Sequence, residues 1–156
     1  MNPKKLLFDS CCFGQTSVSK LKEFLIEDEL EVEIAHLRDF KLDNSLDDVW
    51  VPKMVQENWV VVSSDRGTTK SKGSKLPLLC KKFRMTHILL SASVHNLKSF
   101  EKVKAILSAW PELGSVFEAE NGTEFRLQKR GQIGFRLIEQ KPDTPRLKIA
   151  KIDKTA

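Results

Sequence analysis

Two aspartates each close a short apolar run: Asp9 ends Lys5-Leu6-Leu7-Phe8-Asp9, and Asp65 ends Trp59-Val60-Val61-Val62-Ser63-Ser64-Asp65. Apolar runs of this length read as strands buried on both faces, and a carboxylate at the end of one stands where the strand meets the sheet edge. If the two strands are parallel neighbours, both carboxylates lie on one edge, about 4.8 Å apart from strand to strand. Two carboxylates so placed converge on one small cation, and a third acid at a helix start, Asp47 or Asp48, would complete a set of hard oxygen ligands. That set suits magnesium or manganese, not zinc or copper. Taken singly, each aspartate serves equally well as a helix cap, a turn former or an exposed charge. The shared placement is what points to a metal.

The elements that must hold these residues follow from periodicity. Val18, Leu21, Phe24 and Leu25 recur at helical spacing from Ser17 onward, with charged residues between them, which predicts an amphipathic helix. Glu31-Val32-Glu33-Ile34-Ala35 alternates and reads as a strand with one solvated face. Ser45-Leu46-Asp47-Asp48 has the form of a capped helix start, serine as cap and an acid three residues on, with Pro52 expected to kink or delay the helix before about Glu57. A loop is expected over 67–73, a short helix over 76–83 and a strand over 86–91. Leu97, Phe100, Val103, Ile106, Leu107 and Trp110 mark a long amphipathic helix stopped by Pro111. Segments 124–128 and 133–139 flank Lys129-Arg130-Gly131-Gln132 as a hairpin, and the chain beyond Pro142 is polar and basic, like a frayed tail. Strands alternating with helices imply an α/β sandwich on a mainly parallel sheet, whose binding site lies at the carboxyl ends of the strands.

The chain's 156 residues, with 40% apolar and 30% charged, fit one globular domain with a real core. Its longest apolar runs fall far short of the roughly 20 residues of a membrane helix, and the start MNPKKLLFDSCC is too short for a secretory leader, so the expected location is cytoplasmic. Charge is segregated beneath a net of +5: residues 1–65 carry 7 basic and 13 acidic side chains, 66–100 carry eight basic and no acidic, and 125–156 carry nine basic and three acidic. An acidic first half and a basic later half suit a site that holds a cation and a polyanion together, although basic runs also serve simply as solvated surface.

Other chemistries fail on specific residues. Asp9-Ser10-Cys11-Cys12-Phe13-Gly14 holds no glycine-rich phosphate loop, and a phosphoaspartate enzyme would want an acid at position 11. Cys11 as a thiol nucleophile lacks a histidine nearby in sequence, and small buried cysteines are commoner than catalytic ones. The three cysteines suggest no disulfide framework, and His36, His87 and His95 lie at no zinc-ligand spacing.

The segments LLFDS and HLRDFKLDNSLDDVWVPKMVQENWVVVSSDRG, with a helix between them, resemble the PIN-like ribonucleases of the compact toxin group. These open with a strand ending in aspartate, pass through an H-x-R-D stretch and a D-x-x-W helix start, and reach a strand ending in S-x-D. The resemblance spans about residues 4–67. It implies a PIN-like three-layer sandwich over 1–115; the residues themselves, not the resemblance, give 116–141 as a basic β-hairpin extension of the same domain and 142–156 as a flexible tail. It implies that Asp9, Asp47 and Asp65 are catalytic and bind Mg2+ or Mn2+, with Asp39 and Asp48 as further acids. It departs from this sequence at Ser10, where the family places glutamate or asparagine. The function implied is endoribonuclease, with an activated water attacking an RNA phosphodiester, in a toxin paired with an antitoxin protein; a homodimer is left open.

An acidic pocket repels phosphates, so substrate must be held by cations outside it. Arg66, Lys70, Lys72 and Lys75 follow the second aspartate, and Arg126, Lys129, Arg130 and Arg136 lie on the hairpin, where alternation lets one face pack while the other shows arginines. Two further readings stand beside the nuclease: a PIN-like module that binds RNA or protein without cleaving, and an interaction protein whose aspartates are only caps and turns.

Overall fold

The computed structural model describes residues 4–9, 13–27, 31–64, 76–130 and 134–140, with the backbone alone at 26 and 27. The chain runs β1 (Lys5–Phe8), α1 (Gln15–Glu27), β2 (Glu33–His36), a 3-10 turn (Leu37–Phe40), α2 (Asp47–Gln56) and β3 (Val60–Ser63). It continues through α3 (Leu76–Phe83), β4 (His87–Leu90), α4 (Ala92–His95), α5 (Ser99–Ser108), a second 3-10 turn (Trp110–Glu112) and α6 (Leu113–Glu118). The hairpin β5 (Glu124–Arg130) and β6 (Gly134–Gln140) completes it. One six-stranded sheet has the order β2-β1-β3-β4-β5-β6, parallel throughout except for β6. The α/β class, the mainly parallel sheet, the sandwich and the carboxyl-terminal hairpin all match the sequence expectation. No helix among the described residues is long and apolar enough to cross a membrane.

Alternation along the strands divides the core in two. On one face Leu6, Phe8, Val62, Ile88, Leu90, Phe125 and Leu127 pack against α1, α4, α5 and α6 through Leu21, Val94, Ile106 and Val116. On the other, Leu7, Ala35 and Val61 pack against α2 and α3 through Trp50, Val51, Met54, Leu76 and Cys80. Full burial of each large apolar side chain contributes about 1.5–3 kcal/mol, so both layers are needed to close the sheet. β3 and β4 are buried along their whole length because both faces are covered there.

The order of crossovers leaves one face of β5 and β6 without a helix over it among the described residues. The step from β1 to β2 goes one way with α1 on the first face; the steps through α2 and α3 go the other way on the second face. These three connections share one hand. The step from β4 to β5 continues in the direction of α3 but carries α4, α5 and α6 on the first face, so its hand is opposite, an uncommon arrangement between parallel strands. Consequently no helix among the described residues covers the second face of β5 and β6. Phe125 and Leu127 are buried beneath α5 and α6, while Arg126 and Arg130, on the other face, are exposed.

Several local expectations are corrected. Helix α2 begins at Asp47 with Leu46 at its cap position and no side-chain cap bond, so Ser45 does not cap it. Pro52 lies inside α2, which runs on to Gln56. The long helix expected through Trp110 is shorter: α5 ends at Ser108, Pro111 sits in the second 3-10 turn, and α6 follows, unforeseen because the apolar period is broken there. Phe24 and Phe100 fit the helical period yet are 47% and 74% exposed, because each sits at the margin of its helix's buried stripe.

Candidate active site

The sheet order reverses between β1 and β3, because β2 lies on one side of β1 and every later strand on the other. Open α/β sheets bind ligands in the crevice beyond the carboxyl ends of the strands at such a point. Asp9 is the first residue past β1 and stands there. Its amide donates to the Val62 carbonyl at 3.0 Å, extending the β1–β3 ladder by one residue. Ser63, fully buried at the end of β3, donates its hydroxyl to Asp9 Oδ2 at 3.1 Å. The strand ends thus hold a carboxylate and a hydroxyl together.

Phe13 is tied to β2. Phe13 stacks edge to face on Phe8 at 4.9 Å, and its amide donates to the Asp9 carbonyl at 3.3 Å. The Phe13 carbonyl is 2.9 Å from His36 Nε2, while His36 Nδ1 accepts from the Arg38 amide at 3.0 Å. An amide N–H can only donate, so Nδ1 is the unprotonated nitrogen and Nε2 carries the proton that reaches Phe13. His36 is therefore a structural clamp between Phe13 and the turn after β2.

Asp39 caps that turn. Oδ2 accepts from the His36 amide at 2.9 Å, Oδ1 from Gln15 Nε2 at 3.0 Å, and Lys22 Nζ lies 3.6 Å from Oδ2. Partial burial pushes the Asp39 carboxyl up, but the His36 amide, the Gln15 amide and Lys22 together outweigh it and hold its pKa below the ordinary value. Asp47 accepts from Trp50 Nε1 at 2.9 Å through Oδ1, satisfying the indole of a side chain buried in the second core. Its position in the first turn of α2, with Asp48, also suits a carboxylate near the positive end of the helix.

Of the acids expected to bind metal, Asp9 is at the switch point, and Asp39, Asp47 and Asp48 lie on the connection leaving the same edge of the sheet. Asp65 lies outside the described residues, as do Arg66, Lys70, Lys72, Lys75 and Cys11. Among the described residues no three His, Cys, Asp or Glu side chains converge as a metal group. The donors that are described at the switch point, a carboxylate and a hydroxyl, are hard oxygens of the kind magnesium and manganese take, but they do not make a complete shell.

The hairpin cations divide. Arg126 Nε is 3.6 Å from Glu124, and Arg136 Nε donates to Glu112 at 2.9 Å, so Arg136 is drawn to the second 3-10 turn. Lys129 and Arg130 are exposed near the tip. Sequence reasoning assigned no part to Ser63, His36, Gln15, Lys22 or Gln128. Ser63 and His36 carried a signal, as the serine of the S-x-D pattern and the histidine of the H-x-R-D stretch.

Fold and site together define an open α/β protein with an acidic residue at its topological switch point and, among the described residues, exposed arginines on β5 of the same sheet. In comparisons with protein-family models, curated proteins and solved structures, nothing matches the chain.

Proposed function

We propose that this chain is a metal-dependent PIN-like endoribonuclease, the toxin of a toxin–antitoxin pair, acting in the cytoplasm on RNA phosphodiesters. The observation that carries the reading is the Asp9–Ser63 pair at the switch point, on the same sheet face as the exposed arginine of β5. In this reading Asp9 and Asp65, two residues beyond Ser63 in the chain, are the principal ligands, and Asp47 contributes from α2. A bound magnesium or manganese ion would supply water activation and neutralise charge developing at the phosphorus. Ser63 keeps Asp9 in one orientation, and the His36–Phe13 bond keeps Phe13 against the end of β2. Arg126, Lys129 and Arg130 attract the RNA backbone that the carboxylates repel. An antitoxin would act by covering the carboxyl edge or by placing a basic side chain against Asp9.

A second reading is a PIN-like module that binds RNA without cutting it. Ser10, where the resembling family has an acid or amide, favours it, since that substitution removes one potential ligand. Incubating purified protein with labelled single-stranded RNA and millimolar manganese separates the two. The nuclease reading expects cleavage that chelator stops and Asp9→Asn abolishes; binding without cleavage selects the module.

A further inference from the structure

A groove of about 500 Å³ lies on the second face of the sheet at β5, beside the first turn of α3 and the start of α4. Pro77 and Leu89 give it apolar walls, Ser91, Ser93 and Gln128 line it with polar atoms, and Arg126 stands on β5. Its volume falls in the range of small-molecule sites and admits one nucleotide, not a duplex. Glu124 also lines it and lies 3.6 Å from Arg126 Nε, and a guanidinium carries five N–H donors, more than one carboxylate takes up.

Register ties this groove to Asp9. Phe8 is level with Val62, so Asp9 is level with Ser63; Ser63 is level with Leu89, and Leu89 with Arg126. Residues level in a parallel sheet point to the same face, and the Ser63–Asp9 hydrogen bond is consistent with this for the first pair. One row therefore runs from carboxylate through hydroxyl and leucine to guanidinium, spanning three inter-strand steps, about 14 Å. A nucleotide or two of extended strand covers that distance.

Resting on the ribonuclease reading above, we infer that this groove is a subsite for single-stranded RNA, taking the nucleotide that flanks the phosphate held at Asp9. Arg126 meets a backbone phosphate, the base lies against Leu89 and Pro77, and Gln128 with the Ser91 and Ser93 hydroxyls faces its edge. The strand crosses the ends of β3 and β4 on its way to β1. Arg130, exposed further along the same face, steers the strand without fixing it.

The test is fluorescence anisotropy with labelled uridine oligonucleotides from two to eight nucleotides, in chelator, so that nothing is cut. Arg126→Ala and Gln128→Ala, both at the surface and checked for folding by circular dichroism, should each weaken binding of the longer oligonucleotides several-fold. Arg126→Ala should also flatten the log–log salt dependence by about 0.7, the loss of one single-strand phosphate contact. Lys104→Ala, an exposed cation on α5 at the first face of the sheet, should change neither. Unchanged affinity and slope in the Arg126 and Gln128 variants overturn the subsite, as does equal affinity for a duplex of the same length. Adding manganese keeps the two proposals apart. Cleavage by the parent with unaffected groove variants defeats the subsite alone, and groove-dependent binding without cleavage defeats the nuclease reading alone.

Discussion

Ser63 Oγ donates to Asp9 Oδ2 at 3.1 Å, so the carboxylate that follows β1 is oriented by the last residue of β3. In the proposed site this bond sets the direction from which Asp9 meets a cation. Millimolar magnesium or manganese should raise the melting temperature, since a cation that binds only the folded chain stabilises it. Asp9→Asn should abolish the rise. Ser63→Ala, which removes a partner that orients a ligand, should shift the metal dependence of the rise about tenfold to higher concentration. A parent protein whose melting curve neither metal moves contradicts the cluster.

Asp39 makes acid stability a second measurable property. Its folded pKa is lowered from the ordinary 3.8, net of the burial that opposes the shift. The folded chain therefore binds this proton less readily than the unfolded chain, and the stabilisation is complete above the unfolded value and lost as pH falls through the folded one. Asp39→Asn should cost about 1 kcal/mol at neutral pH, the scale of a lost turn cap. The gap between mutant and parent in urea unfolding should be constant above the ordinary value and narrow below it. A gap that stays constant into strong acid would show that the carboxylate charge is not what stabilises the turn.

The Trp50–Asp47 bond links the second core to the start of α2. Trp50→Phe deletes the indole donor and leaves a space in a buried position, with an expected cost of about 1–3 kcal/mol. In a double-mutant cycle with Asp47→Ala, which removes the acceptor, the coupling energy should exceed about 0.5 kcal/mol. Additive losses would mean that the two residues stabilise α2 independently.

Expression of the chain by itself in bacteria should slow growth, because the proposed activity removes RNA. Asp65→Asn keeps the side-chain shape and removes the charge, so it should relieve the defect while the soluble protein accumulates as before. Equal growth inhibition by parent and folded mutant would trace the defect to overexpression.

Much of this architecture is legible in the sequence because it depends on local periodicity. Val60-Val61-Val62 has to be buried on both faces, and Val18, Leu21 and Leu25 must share a helical stripe, whatever the rest of the chain does. The alternation of Phe125 and Leu127 with Arg126 likewise assigns the hairpin its inner and outer sides. Sequence also places Asp9 at a strand end. What it does not contain is which strands are neighbours and which face each crossover takes, since both depend on contacts between residues far apart in the chain. Only the order β2-β1-β3-β4-β5-β6 sets Asp9 beside Ser63, 54 positions away, and in one row with Leu89 and Arg126. Only the opposite hand of the β4–β5 connection uncovers Arg126 and opens the groove beside it. The same dependence holds at Asp39, since only the tertiary structure brings Gln15 and Lys22 of α1 to its carboxylate.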